Sequence, residues 1–284
     1  MIDRRALIAG LPLIAAASPD RFAALRRAIA AVERSADGRI GVSLLDTHTG
    51  AAFNHRANDR FPLCSTFKLL LAARLLHGAD KREWAMSERL PVSKADMLNH
   101  APFTETRIGG SASLLELAEA MCSHSDNPAT NIALKRIGGP AALTQWLRRT
   151  GDTITRIDRY EPEMNNETPG DPRDTTTPAA MLATSRAMVE GRILSAPART
   201  QLFAWMRGSS TANNLFRPEL PQGWQEANKT GSGSWHARNI VSVIIPPGRK
   251  PIWVAAYLFA AKTEPEERNR QFGPLGRAIV ESVA

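Results

Sequence analysis

Three short stretches hold side chains that can do chemistry together. In Ser65-Thr66-Phe67-Lys68 a hydroxyl and an amine stand three residues apart at the start of a helical pattern, so both project from one helix face. A serine hydroxyl is a weak nucleophile until a neighbouring base takes its proton. The helix N-terminus adds free N–H groups and positive potential where an oxyanion would develop. Ser125-Asp126-Asn127 precedes a helix pattern that opens at Pro128, and alone it reads as an N-cap cluster. Lys229-Thr230-Gly231 ends a strand pattern, and alone it reads as a strand running into a turn. A serine-x-x-lysine match is expected about once by chance in a chain of this size, and each tripeptide well under about 0.1 times. All three in this order are hard to obtain by accident.

A fourth stretch, between Ile157 and Pro178, is rich in proline and charge and has neither helical nor alternating periodicity. Loops this long inside a compact domain are usually functional. It carries Glu161-Pro162-Glu163-Met164-Asn165 and then runs from Pro169-Gly170-Asp171 through Arg173-Asp174 to Pro178. Taken together, the four stretches resemble those of the class A serine β-lactamases, within the superfamily shared with the penicillin-binding proteins. The loop, here 156–177, resembles that family's Ω-loop, and the likeness covers essentially the whole chain beyond its N-terminal segment.

The resemblance implies an enzyme without cofactor or metal that hydrolyses β-lactam antibiotics, penicillins and cephalosporins, through a serine acyl-enzyme. Ser65 would attack the lactam carbonyl. The backbone N–H groups of Ser65 and Ser232 would hold the oxyanion. Lys68, or Glu161 through a water, would take the serine proton, and the sequence leaves both open. Ser125, assisted by Lys229, would protonate the departing nitrogen. Glu161 and Asn165 would hold the water that cleaves the ester. Asn127 would bind the acylamino side chain and help fix Lys68; Lys229, Thr230 and Arg238 would face the substrate carboxylate, and Gly231 and Ser232 would also bind substrate. The family pattern also implies an Arg159–Asp174 ion pair closing the loop and a cis Glu161–Pro162 peptide. The same Ser65, Lys68, Ser125 and Lys229 would serve a penicillin-binding D-alanyl-D-alanine peptidase, and Glu161 separates the two readings.

Some positions depart from the pattern. Cys64 stands where carbapenem-hydrolysing relatives have a cysteine bridged to a second one, and Gly233 occupies the place of that second cysteine. That bridge is therefore absent, which disfavours carbapenem hydrolysis. Cys64 and Cys122 have no metal-ligand spacing, and two free thiols are favoured over a Cys64–Cys122 bridge. His100 aligns with an aromatic gatekeeper, and the hydroxyl of Ser232 favours cephalosporins.

Elements must bring these stretches together. The patterning predicts helices over Pro19–Arg34, Pro62–His77 with Gly78 as a stop, Leu114–Cys122, Pro128–Ile137, Ala141–Thr150, Pro178–Glu190, Pro197–Trp205 and Glu264–Val283. Strands are predicted at Arg39–Asp46 and Ala51–Arg56, forming a first hairpin, and at Glu226–Thr230, Arg238–Ile245 and Ile252–Phe259. Strands at both ends with helices between imply an α/β fold. Its two-lobed form follows from the family likeness: an antiparallel five-stranded sheet with flanking helices from 18–63 and 208–284, and an inserted all-helical domain over 64–207.

Residues 1–17 read as an export signal: Asp3-Arg4-Arg5, then an apolar stretch of 12 residues, then Ala15-Ala16-Ala17. The paired arginines resemble a twin-arginine signal, and a buried helix is the competing reading. Periplasmic or secreted localisation follows, with no membrane span, since a helical span needs about 20 apolar residues. With 284 residues and 43% hydrophobic content the chain can bury a full core. Its net charge is +8, but the basic residues are 29 dispersed arginines and seven lysines without an aromatic-interleaved run. Nucleic acid is therefore not an expected partner. A monomer acting on a small molecule is.

Overall fold

The computed structural model describes residues 20–261 and 264–283. In chain order the first elements are α1 (Ala23–Ser35), β1 (Arg39–Asp46), β2 (Ala52–His55) and β3 (Phe61–Pro62), followed by a 3-10 turn at Cys64–Thr66 and α2 (Phe67–Asp80). Next come β4 (Arg89–Pro91), β5 (Ser111–Ser113), α3 (Leu114–Ser123), α4 (Asn127–Arg136) and α5 (Pro140–Arg149). The chain continues with β6 (Thr175–Thr176), α6 (Pro178–Val189), α7 (Ala196–Arg207), β7 (Gln225–Ser232), β8 (Ala237–Ile245) and β9 (Ile252–Phe259). It closes with α8 (Pro265–Arg270) and α9 (Phe272–Val283).

The fold is α/β, built on one antiparallel five-stranded sheet in the order β2-β1-β9-β8-β7. Alternation along β9 explains its central place, because side chains on a strand point to opposite faces in turn. Trp253, Ala255 and Tyr257 join the core under α2, α3, α6 and α7. Ile252, Val254, Ala256 and Leu258 join a second core under α1 and α9. Both faces are covered, so the strand reads as a continuous apolar run.

Helix α2 is buried over nearly its whole circumference, from Phe67 to Leu76. Such a helix belongs to the centre of a fold, and each of its fully buried leucines contributes roughly 2 kcal/mol. It carries Lys68 into the core. Gly78 does not stop it: the Trp84 ring lies 2.1 Å from where a Cβ at Gly78 would stand, so the glycine serves packing inside the helix. The turn before α2 is 3-10 rather than α, with Cys64 at φ 44.

The closing helix is also corrected, into α8 and α9 broken at Gln271. Pro274 is the reason, since it has no N–H for the carbonyl of Arg270 and its ring would clash there. The two small sheets, β3 with β6 and β4 with β5, have no counterpart in the patterning. Pairings of two or three residues carry no periodicity. The export signal at 1–17 lies outside the described residues. Among those described, no helix is long and apolar enough to cross a membrane.

Candidate active site

Two backbone devices set the site. Asp126 caps α4 by accepting from Ala129 N at 2.8 Å, and its carboxylate also takes the N–H groups of Phe103 and Thr104. Its neighbours Ser125 and Asn127 are thereby aimed away from that anchor. Ser125 adopts φ 63, a left-handed conformation costly for a side-chain-bearing residue and typical of functional positions. On the other wall, Asn239 in β8 donates its amide to the carbonyls of Pro62 and Leu63, which ties the turn before Ser65 to the sheet. Strand β7 lies so close that a Cβ on Gly231 would stand 2.9 Å from Leu63 O and 3.2 Å from Ser65 N. Only glycine permits that approach.

The groups converge. Lys68 Nζ donates to Ser125 O at 2.8 Å and Asn127 Oδ1 at 2.5 Å, and lies 3.5 Å from Ser125 Oγ. Lys229 Nζ donates to the same Oγ at 3.1 Å and to Thr230 O at 3.0 Å. The Ser125 hydroxyl thus sits between two buried amines. Glu161 Oε1 pairs with Lys68 Nζ at 3.2 Å, both side chains fully buried, at an angle that leaves Oε1 without a hydrogen-bond donor among the described residues. Glu161 Oε2 accepts from Asn165 Nδ2 at 2.5 Å, and Asn165 Oδ1 is likewise buried without a donor.

Burial pushes Lys68 below the ordinary ammonium value, opposed by the Glu161 charge. Lys229 falls to about 7, from burial first and then from the Lys68 charge. Arg238 drops to about 10 because it is buried and near Arg268. It stays cationic at neutral pH.

Ser65, His100, Ser125, Asn127, Asn165, Thr211, Thr230, Ser232 and Arg238 line one cleft of about 270 Å³. A larger cavity of about 410 Å³ lies behind the loop, against Arg39, Asp59 and Pro169, and is lined by none of Ser65, Lys68, Ser125, Glu161 and Lys229. Convergence of reactive groups, not volume, marks the first. A serine in the cleft wall, a second hydroxyl held between two buried amines, a paired carboxylate with a free acceptor oxygen and a buried guanidinium suit acyl transfer to an anionic substrate.

The family comparison agrees with that chemistry. Residues 24–283 match the model of the β-lactamase enzyme family. The chain belongs to the class A β-lactamases. It is 42% identical over 261 residues to a β-lactamase of Rhodobacter capsulatus, covering 92% of this chain and 88% of that protein. With the β-lactamase L2 of Stenotrophomonas maltophilia it shares 42% over 276 residues, 94% of this chain and 91% of the relative. An ancestral class A β-lactamase superposes with a TM-score of 0.88 at 44% identity, over 90% of this chain and 99% of that one. A β-lactamase structure from Xanthomonas campestris gives 0.90 at 43%, over 93% and 99%.

In this β-lactamase the loop is fastened at its neck by Arg159 Nε to Asp174 Oδ2 at 2.5 Å. Asp174 Oδ1 also takes the N–H groups of Asp158 and Arg159, and Asp174 O accepts from Leu63 N. The Glu161–Pro162 peptide is cis. Cys64 and Cys122 are unpaired and buried, and burial raises both thiols, Cys122 to about 12. His100 is held at the cleft by its ring nitrogen to His124 O at 2.8 Å. Arg238 donates to Gly231 O and Thr211 O and to Asn269 Oδ1, which fixes it beside β7.

Four residues of the site escaped sequence reasoning. Asn239 and Thr211, whose hydroxyl meets Thr230 Oγ1 at 2.6 Å, belong to no motif in the sequence. Asn131 and Glu167, described below, are single polar residues without a motif.

Proposed function

We propose that this enzyme hydrolyses β-lactams through an ester on Ser65 and that Glu161 drives its release. Ser65 Oγ attacks the lactam carbonyl carbon while its proton passes into the Lys68–Glu161 pair. Collapse of the tetrahedral intermediate breaks the C–N bond, and Ser125 gives its proton to the nitrogen and is resupplied from the amines flanking it. Backbone N–H groups of Ser65 and Ser232 carry the oxyanion. A water then attacks the ester carbonyl, its proton goes to Glu161, and Ser65 leaves with a proton returned from the pair. The net change is addition of water across the amide.

The observation that carries this reading is the pair of buried acceptors, Glu161 Oε1 and Asn165 Oδ1, beside Lys68. They suit a water that donates to both. Arg238, Lys229 and Thr230 support capture of the substrate carboxylate, and Asn127 the acylamino group. The cleft lies between the sheet portion, 18–63 with 208–284, and the helical portion, 64–207, which we take as its two lobes. Every group comes from one chain, which supports a monomer. The signal-like pattern at 1–17 supports export to the periplasm or medium.

Steady-state hydrolysis of benzylpenicillin, run beside cleavage of a D-alanyl-D-alanine peptide, tests the assignment. Turnover of the lactam without cleavage of the peptide is expected. Rapid peptide cleavage with a long-lived penicilloyl adduct would favour the peptidase.

A further inference from the structure

Glu167 lies two residues beyond Asn165 on the loop, yet its carboxylate is turned inward and the residue is only 8% exposed. It accepts from three successive backbone N–H groups in the β7–β8 connection, Trp235 at 3.3 Å, His236 at 2.6 Å and Ala237 at 3.1 Å. A fourth donor, Cys64 Sγ, stands 3.8 Å from Oε1. Gly233 makes the room: a Cβ there would lie 1.1 Å from Glu167 Oε1. One carboxylate therefore joins the loop to two further segments of the site, the turn at Cys64 and the β7–β8 turn. Cys64 precedes Ser65, Gly233 follows Ser232, and Ala237 precedes Arg238.

We propose that Glu167 is a positioning residue for deacylation, its carboxylate pinning the tip of the loop to the β7–β8 turn so that Glu161 and Asn165 stay over Ser65. The Arg159–Asp174 pair holds only the neck. Without the second pin the intervening segment swings about the first, and a displacement near 1 Å at a reacting group costs on the order of 100-fold. A carboxylate in a nest of N–H groups is well suited to the task, because charge-assisted hydrogen bonds are the strong ones. The inference rests on the deacylating role given above to Glu161.

Rapid-quench mass spectrometry with benzylpenicillin separates acylation from deacylation in Glu167→Ala, Glu167→Gln, Gly233→Ala and the double variant Glu167→Ala/Gly233→Ala. Deacylation in Glu167→Ala and Gly233→Ala should slow at least about tenfold, with a smaller effect on acylation, so the acyl-enzyme accumulates. The double variant should be no slower than Glu167→Ala, since both changes remove one contact. Glu167→Gln keeps the shape but loses the charge and turns an NH2 toward N–H donors that a carboxylate oxygen accepts, so it should recover only part of the rate. Gly233→Ala retains Glu167 and reads the same contact should Glu167→Ala misfold. Thiol labelling of Cys64 in the native protein should accelerate in the same variants. Deacylation within about twofold of wild type in folded Glu167→Ala, or additive losses in the double variant, overturns the proposal. A Glu161→Gln variant that fails to accumulate adduct would instead remove the reading of Glu161, while Cys64 labelling would still report the pin.

Discussion

Asn131 grips Glu161 by both ends of its residue: its Nδ2 donates to Glu161 O at 2.8 Å and its Oδ1 accepts Glu161 N at 3.0 Å. Asn131 sits in α4, the helix capped by Asp126. The helix that presents Asn127 thus also sets the carboxylate that faces Lys68. Replacing Asn131 by Ala leaves both backbone groups unpaired in a part-buried place. Stability should fall by about 2 kcal/mol. The acyl-enzyme should persist longer, read by the lag before product release in stopped-flow traces. Unaltered deacylation would detach the two residues functionally.

Asp174 is 1% exposed at its side chain and collects Arg159 together with two backbone N–H groups. Asp174→Asn keeps the size but removes the charge and one acceptor site. The neck should loosen, with kcat for benzylpenicillin down roughly tenfold. Thermal unfolding should show about 2 kcal/mol lost. Unchanged kcat would mean that the neck does not hold Glu161.

Lys229 supplies the pH dependence. Its value, lowered to about 7, makes it cationic below that pH and increasingly neutral above it. A cation attracts the substrate carboxylate, so kcat/KM should decline as pH rises through neutrality, by roughly threefold to tenfold between about pH 6 and 9. Arg238 keeps its charge over that range and limits the loss. In the complex the bound carboxylate favours the protonated amine, which moves the limb in kcat to higher pH. Lys229→Arg should abolish the limb, because a guanidinium stays charged. A wild-type profile that is flat, or that rises, contradicts this role.

Much of the scaffold was legible because its signals repeat. Strands β1 and β9 match their predicted bounds, since eight consecutive apolar or alternating residues leave little choice of register. Helices α3 to α7 fall within one or two residues of expectation; four of the five start at a side-chain cap, Ser113, Asp126, Thr177 and Ser195, and α5 starts at Gly139-Pro140. The last helix reads as unbroken because the charged stretch Pro265–Gln271 leads directly into the apolar spacing that begins at Phe272, whereas Pro274 acts on hydrogen bonding that such patterning does not report. At the site, the motif residues could be named because the chemistry demands particular side chains at short separations. Asn131, Glu167, Thr211 and Asn239 act across 19 to 177 residues of sequence, through contacts that only the fold creates.

Release by Glu161 of an ester formed on Ser65 is the central step of the proposed reaction. Intact-protein mass spectrometry of Glu161→Gln mixed with excess benzylpenicillin measures that step alone. We expect a stable mass increase equal to one benzylpenicillin, mapped to the Ser65 peptide and missing in Ser65→Ala, while wild type cycles back to its free mass. A Glu161→Gln enzyme that clears the drug as fast as wild type and carries no adduct would contradict it.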